Sequence, residues 1–260
     1  MGQMGSTAPT LLRLEELDGG VRLLTLDDPA RRNALGPQMG AELRQACAEV
    51  RDDGEARALV VTGAGTAFCS GADLPALFGG PDRSVGETRA TLQSYYAAFL
   101  DVLALPLPTI AAVNGPAVGA GLNLAMACDV RIAGQQASFG ATFTRIGLHP
   151  GGGCTWFLVR ALGRSRALQT LLLGDPLDAE QATAWGLAEG PVTDSRAAAL
   201  SLAARFAELD PRLARDVKRT VDVAVDTDDL MATLEVESWA QAASASNPQL
   251  QEWVARFRAP

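Results

Sequence analysis

The chain has 260 residues, of which 48% are hydrophobic and 20% are charged, a composition typical of a folded globular protein. A chain of this length is expected to form one hydrophobic core, with a small appendage at most. The formal net charge of −8 argues against a nucleic-acid-binding surface, because the phosphates would require a basic stripe. A few local arginines or backbone amides could still hold an anionic small ligand.

The predicted elements alternate strand and helix through the first half of the chain. Two segments of alternating apolar and polar residues, 11–17 and 21–27, flank Asp18-Gly19-Gly20 and predict a β-hairpin. Later strands are predicted at 58–62, 109–113 and 129–133, and helices at 37–50, 87–105 and 119–127. This alternation predicts an α/β fold with parallel strands and crossover helices.

The second half is predicted to be mainly helical. Only 187–192 reads as extended, and helical patterns cover 154–162, 164–173, 179–185, 195–209, 212–225, 228–245 and 249–257. Residues 1–9 are small and polar, which predicts a disordered leader and not a signal peptide. No run approaches the ~20 apolar residues that a membrane span needs.

The rare residue types restrict the chemistry. The four cysteines are scattered, so we expect reduced thiols, a cytoplasmic protein and no metal site. His149 is the only histidine and Lys218 the only lysine, so a mechanism that needs either residue type has one candidate. Lys218 falls in a segment that is predicted to be a polar, exposed helix.

Two glycine-rich loops carry the candidate chemistry. The first, Thr66–Leu74, follows a predicted buried strand, and the second, Val113–Asp129, runs from a strand into a helix. Glycines allow the backbone to turn sharply and to approach a ligand closely. The helix start near Gly119 leaves unpaired N–H groups and a positive dipole end, which suit a developing oxyanion. Taken singly, each loop is more typical of a tight turn that only packs a helix on a strand.

Together the loops resemble those of the crotonase superfamily, the enoyl-CoA hydratase/isomerase family. The matching segments are F-C-S-G-A-D-L and A-A-V-N-G-P-A-V-G-A-G-L-N-L-A-M-A-C-D, about 40 residues apart. Supporting segments are R-R-N-A-L at 31–35, F-G at 139–140, I-G-L-H-P-G-G-G at 146–153, L-L-L-G-D-P-L-D-A-E-Q-A at 171–182 and W-G-L at 185–187. The resemblance implies a ββα-spiral core that binds acyl-CoA over 10–194. It also implies a C-terminal helical trimerisation region over 195–260, and hence a homotrimer or a dimer of trimers.

The resemblance also implies where the ligand binds. The thioester oxygen would accept hydrogen bonds from the backbone amides of Ala72 and Ala120. The CoA moiety would lie along Arg31, Arg32, Ala34, Ala72, Asp73, Leu74 and Pro75. Many members carry lysine at the position of Pro75, so Arg31 or Arg32 would have to supply that phosphate contact here. No cofactor is expected, because coenzyme A is part of the substrate.

The resemblance breaks at the two catalytic glutamates of the family. Asn123 and Phe143 occupy those positions, and neither side chain can transfer a proton. His149, in the G-L-H-P-G-G-G loop, could replace them as acid or base, or it could only brace the loop through a backbone hydrogen bond. Tyr95 and Tyr96 are expected to face the general region of the acyl cleft, as aromatic residues of the core or of a lid.

Three functions therefore stay open, with an enzyme favoured. One is a weak or unconventional hydratase that acts in fatty-acyl-CoA metabolism. Another is a CoA-thioester decarboxylase, isomerase or thioesterase that relies on oxyanion stabilisation, and the third is a non-catalytic acyl-CoA carrier or sensor. A reductase is disfavoured because T-G-A-G at 62–65 does not complete a dinucleotide-binding motif, and no P-loop sequence occurs.

Overall fold

A computed structural model describes residues 10–80, 83–227 and 229–258. The predicted leader at 1–9 and the first position of the helix predicted at 228–245 lie outside the described residues. The strands in chain order are β1 (Leu12–Glu16), β2 (Val21–Leu26), β3 (Ala58–Gly63), β4 (Thr109–Val113), β5 (Pro116–Val118), β6 (Val130–Gly134), β7 (Ser138–Gly140), β8 (Leu177–Asp178) and β9 (Glu189–Val192).

The larger sheet has six strands in the order β1-β2-β3-β4-β6-β9. The first pair is antiparallel, which confirms the predicted hairpin, and the following four pairs are parallel. Every residue of β2, β3 and β4 is buried. Parallel strands are covered on both faces, and this is why their sequences are nearly continuous apolar runs.

A second, smaller sheet pairs β5 with β7 in parallel and β7 with β8 antiparallel. Along the chain, β4 of the large sheet is followed by β5 of the small one, and β6 is followed by β7. Helix α4 (Ala120–Ala127) follows β5 and helix α5 (Cys154–Leu173) follows β7, so each unit is one ββα turn of the expected spiral. The sequence did not predict these short strands, because two or three residues show no periodicity.

The helices in chain order are α1 (Pro37–Asp52), α2 (Leu74–Phe78), α3 (Val85–Leu103), α4 (Ala120–Ala127), α5 (Cys154–Leu173), α6 (Ala179–Ala184), α7 (Ser195–Ala207), α8 (Pro211–Asp226), α9 (Leu230–Ser244) and α10 (Pro248–Arg258). α5 is kinked at Gly163, whose backbone torsions are not helical, and its two halves correspond to the two helices predicted at 154–162 and 164–173. α7 packs on one face of the large sheet, where Ala199 and Ala203 contact the sheet's apolar core.

Lys218 of α8 corrects one prediction. Its helix is polar as expected, but its side chain is only 10% exposed. The ammonium group donates to the carboxylate of Asp129 at 2.8 Å and to the carbonyl oxygen of Leu107 at 3.0 Å. Asp129 also accepts hydrogen bonds from the backbone and hydroxyl of Thr109, at 2.7 and 3.0 Å. This network attaches α8 to the body of the fold.

The surface of the last helices is partly apolar. Val217, Val221, Leu230, Met231 and Trp239 are all more than half exposed. Such a face suits the predicted trimer, which stays a prediction. Within the described part of the chain, no helix is both long and apolar enough to cross a membrane.

Candidate active site

The first glycine-rich loop is held by a buried asparagine that precedes it by about thirty residues. The side-chain amide of Asn33 donates to the carbonyl oxygens of Ala64, Ala67 and Phe68 at 2.9, 2.9 and 3.2 Å. Asn33 itself has a positive φ of 57°, which asparagine tolerates better than most residues. Sequence reasoning missed this residue, although it lies in the R-R-N-A-L segment.

The same segment fixes the backbone around Ala72. The N–H of Leu35 donates to Gly71 at 2.8 Å, and the N–H of Asp73 donates to Leu35 at 3.1 Å. These two bonds form a parallel bridge between Leu35 and Ala72, so the N–H of Ala72 takes no part in it. Its amide is therefore left available on the side away from Leu35.

The second loop lies directly against the first. Cys69 exchanges backbone hydrogen bonds with it: its N–H donates to Pro116 at 3.1 Å, and its carbonyl accepts from Val118 at 2.9 Å. Gly71 has a φ of +103°, and a Cβ atom added to it would lie 2.7 Å from the carbonyl oxygen of Val118. Glycine is required here because any side chain would push the loops apart.

Ala120 is the first residue of α4, so its N–H has no acceptor within the helix. The Cβ position of Gly71 would be 3.7 Å from the Ala120 nitrogen, which places the two candidate amide donors on neighbouring stretches of backbone. Ala72 and Ala120 line the same cavity. The structure thus brings the two residues together, and their role as oxyanion donors stays a prediction.

The cavity has a volume of about 320 Å³ and mainly apolar walls. One wall is a cluster of three rings, in which Tyr96 lies 6.2 Å from Tyr95 and 6.1 Å from Phe99 between centroids. Both tyrosines line the cavity and also pack against the buried core. The remaining apolar lining comes from Leu74, Leu77, Phe78, Leu92, Val118, Phe143, Ile146 and Leu148.

Ionisable groups are scarce in this cavity. Among the described lining residues they are Tyr95, Tyr96 and His149, and none is a carboxylate. Burial raises the pKa of Tyr95 and of Tyr96, so both hydroxyls are protonated at neutral pH. The cavity wall can therefore donate hydrogen bonds but offers little capacity to accept a proton.

Asn123 and Phe143 both line the cavity beside the candidate amide donors. Asn123 is 2% exposed, and its Nδ2 donates to the carbonyl oxygen of Gly151 at 2.9 Å. Its buried Oδ1 has no hydrogen-bond partner among the described residues, a situation that costs about 1–3 kcal/mol. The Phe143 ring lies close to Gly119, at 3.9 Å from where a Cβ would be. The two positions where the resemblance predicts glutamate thus border the site, and neither side chain is an acid.

His149 is exposed at the edge of the cavity. Its Nδ1 lies 2.7 Å from the carbonyl oxygen of Pro150. In the neutral ring this bond makes Nδ1 the donor and leaves Nε2 as the acceptor. The hydrogen bond to the backbone that a bracing role requires is therefore present. The same bond leaves Nε2 as the nitrogen that could accept a proton.

The segments predicted to bind CoA meet near the cavity. Arg31 forms an ion pair with Asp73, and the Asp73 carboxylate also accepts from the N–H of Ala76 at 3.2 Å, which caps α2. The Ala76 amide and Arg31 together hold the pKa of Asp73 below its usual range. Arg31 and Arg32 are exposed, as a phosphate contact would require.

Comparison with known proteins decides the family. The sequence profile described as enoyl-CoA hydratase/isomerase matches residues 16–258. This chain belongs to the enoyl-CoA hydratase/isomerase family. It is 51% identical over 202 residues to a probable enoyl-CoA hydratase of Mycobacterium tuberculosis, covering 77% of this chain and 76% of the relative. It is 35% identical over 248 residues to the 1,2-epoxyphenylacetyl-CoA isomerase of Escherichia coli, covering 95% of each.

Solved structures of the enoyl-CoA hydratase/isomerase family confirm the fold. The enoyl-CoA hydratase from Bacillus anthracis matches with a TM-score of 0.87 at 29% identity, over 95% of this chain and 96% of that one. The predicted crotonase-type α/β spiral with its C-terminal helical region is therefore confirmed. Membership also assigns the chain to a family that acts on CoA thioesters.

Proposed function

We propose that this protein binds an acyl-CoA in the cavity beside Ala72 and Ala120 and stabilises negative charge on the thioester oxygen with their two amides. One observation carries the proposal: both amides border the same apolar cavity. The N–H of Ala72 takes no part in the bridge to Leu35, and the N–H of Ala120 has no acceptor within α4. In measured oxyanion holes, a single donor is worth about 2.7–4 kcal/mol of transition-state stabilisation. Because the donor is the main-chain N–H, its hydrogen bond does not depend on which side chain stands at position 72 or 120.

Hydration of simple enoyl-CoA substrates is slow in this site. The reaction needs one group to deprotonate water and one to protonate the α carbon, and general acid–base catalysis contributes about 10²–10⁴-fold for each group. Asn123 and Phe143 border the cavity where those groups belong, and neither can transfer a proton. Thioester binding and oxyanion stabilisation remain, so the protein is an acyl-CoA-binding member with weak or non-standard hydratase activity.

A second candidate reaction is isomerisation of a CoA thioester. The 1,2-epoxyphenylacetyl-CoA isomerase of E. coli aligns over 95% of both chains, and its name describes a CoA thioester of a phenylacetyl group that carries a ring epoxide. The ring cluster of Tyr95, Tyr96 and Phe99 gives this cavity a wall suited to such a group.

Decarboxylation of a CoA thioester is also compatible with this cavity, since the loss of CO₂ forms the enolate without a base. A non-catalytic carrier is the remaining alternative.

Calorimetry tests the binding step. Acetyl-CoA, crotonyl-CoA and phenylacetyl-CoA should bind in the micromolar range, whereas the corresponding free acids should not bind. Failure of every acyl-CoA to bind would contradict the proposal. Binding without turnover of any enoyl-, malonyl- or epoxyacyl-CoA would instead favour the carrier.

Restoring the acids tests the account of the reaction. The double variant Asn123→Glu/Phe143→Glu should hydrate crotonyl-CoA faster than the wild type, because both proton-transfer groups return. The matched control is Asn123→Gln/Phe143→Gln, which has nearly the same size and no ionisable group. Equal rates in the two double variants, or wild-type turnover near ~10³ s⁻¹ against a typical enzyme median of ~10 s⁻¹, would refute this account.

A further inference from the structure

A second cavity lies next to the first, between α1 and α3 and beside α2. Its volume is about 480 Å³, larger than that of the first cavity. Among the described lining residues, Leu77 and Tyr95 belong to both cavities. The phenol ring of Tyr95 therefore stands at the boundary between them.

Small side chains on the two helices make room for this second cavity. α1 and α3 pack closely, so that a Cβ on Gly40 would lie 3.5 Å from the Cβ of Ala98. The helix residues that line the cavity include Gly40, Ala41, Ser94 and Ala98. Its charged lining residues are Arg44 and Asp73, and each has an ion-pair partner, Asp101 and Arg31 respectively. The remaining walls are small, apolar or hydroxyl-bearing, which is compatible with a hydrocarbon chain.

Tyr95 packs against the main hydrophobic core and is oriented by one hydrogen bond and two ring contacts. Its hydroxyl donates to the carbonyl oxygen of Leu35 at 3.2 Å, and its ring makes edge contacts with Tyr96 and Phe99 at 6.2 and 6.3 Å between centroids. Burial raises the pKa of Tyr95, so the hydroxyl remains a donor at physiological pH. Leu35 is the residue that bridges to Ala72, so this tether joins the boundary between the cavities to the loop that carries the candidate amide.

We propose that Tyr95 sets the longest acyl chain that the protein accepts. The ring of Tyr95 closes the end of the first cavity that is distal to the thioester. When a smaller side chain replaces this ring, the second cavity becomes a compartment for the distal end of a longer acyl chain. The inference rests on the proposed function, in which the acyl group occupies the first cavity. Each methylene group that enters an apolar cavity tightens binding about fourfold. Affinity should therefore rise with chain length and level off where the chain meets Tyr95.

The test is a series of saturated acyl-CoAs from butanoyl to tetradecanoyl, titrated into the full chain by calorimetry. The Tyr95→Ala variant should continue to gain affinity beyond the length at which the wild type levels off. For tetradecanoyl-CoA it should bind at least about tenfold more tightly than the wild type, the gain from two further methylene groups. Tyr95→Phe keeps the ring and should level off at the wild-type length.

Two further variants separate this boundary from a general loosening of the site. Tyr96→Ala enlarges only the first cavity, so it should change overall affinity and leave Tyr95 as the limit. Ser94→Phe fills the second cavity, and in the Tyr95→Ala background it should return the limit to the wild-type length. Tyr95→Leu, which keeps more apolar volume, replaces Tyr95→Ala if circular dichroism shows that the alanine variant does not fold.

An unchanged length limit in the folded Tyr95 variant would overturn the inference while the proposed function stands. So would the same extension of the limit in Tyr96→Ala, since Tyr95 would then not be the boundary. Failure of the wild type to bind any acyl-CoA in the series would overturn the proposed function and the inference together.

Discussion

Replacement of Gly71 by alanine should separate the two loops that carry the candidate amide donors. Gly71 has a φ of +103°, outside the range that residues with a side chain adopt readily. The new methyl group would lie 2.7 Å from the Val118 carbonyl oxygen, which belongs to backbone and cannot rotate away. Val118 is in turn hydrogen-bonded to Cys69, so relief of the clash must move one loop relative to the other.

The cost has two parts. A left-handed backbone conformation costs a residue other than glycine about 1–2 kcal/mol, and a methyl group forced into a closely packed site costs about 1–3 kcal/mol. The free energy of unfolding should therefore fall by about 2–5 kcal/mol. If the proposed function holds, acyl-CoA affinity should fall as well, because the loops that carry Ala72 and Ala120 would move apart.

Gly19→Ala is the matched control. Gly19 has a φ of +72°, but a Cβ atom there would meet nothing within 4 Å, and the residue lies in the hairpin turn away from the cavity. This variant should lose about 1–2 kcal/mol and keep the wild-type affinity. Urea unfolding and calorimetry with an acyl-CoA measure both quantities. If the two alanine variants agree in stability and affinity, the close approach of Gly71 to Val118 does not hold the site together.

Three further predictions concern other parts of the molecule. Lys218→Met removes the cation that links α8 to Asp129, so urea unfolding should show a loss of about 1–3 kcal/mol, whereas Arg212→Met, in an exposed pair, should stay within ~0.5 kcal/mol. Burial raises the pKa of the Cys69 thiol to about 12 in the folded chain, so its stabilising contribution is complete below pH 9.0 and is lost as the pH rises toward 12. Unfolding experiments near pH ~10 should accordingly give a lower free energy than at neutral pH, and equal values would contradict the burial of the thiols. Light scattering should give the mass of a trimer or a dimer of trimers, and a monomer mass would refute the predicted assembly.

Elements that bury a regular apolar pattern were predictable from the sequence. The run Ala58–Thr62 gave β3 and the run Thr109–Val113 gave β4, because a strand covered on both faces needs apolar residues throughout. The position of Ser84 and Glu87 explains one shifted helix start. These residues form a capping box that begins α3 at Val85, two residues before the predicted start.

Elements defined by tertiary contacts were not predictable in this way. β5, β7 and β8 are two or three residues long and exist because they pair with one another. Lys218 reads as a surface residue from its polar neighbours, and its burial depends on Asp129, which is 89 residues away in the chain. Asn33 is similar, since its three carbonyl partners follow it by more than thirty residues. Local patterns cannot identify partners at such separations.

The candidate site combines both cases. Resemblance to the family located the cavity residues Ala72, Ala120, Asn123 and Phe143 in advance, because motif positions carry over one by one. The second cavity and the boundary at Tyr95 depend on how α1 packs against α3, which no motif describes. The acyl-length limit proposed for Tyr95 therefore could not be predicted from the sequence.

The candidate site contains backbone amides and ionisable side chains, and only the side chains depend on the identity of the residue. This difference limits the reactions that are possible. The two candidate amide donors belong to backbone that glycine geometry and hydrogen bonds between the loops hold in place, so their positions do not depend on the side chains around them. Proton transfer requires a particular side chain, and among the described cavity residues burial keeps both tyrosines protonated, which leaves His149 as the group able to accept a proton. A reaction in which His149 accepts the proton should lose about 10²–10⁴-fold in rate in His149→Gln, because glutamine cannot accept a proton. Decarboxylation without a base should not depend on this side chain. The turnover rate of His149→Gln, compared with that of the wild type at equal acyl-CoA affinity, therefore separates the two: an equal rate removes His149 from the chemistry and leaves the two candidate amides as its source.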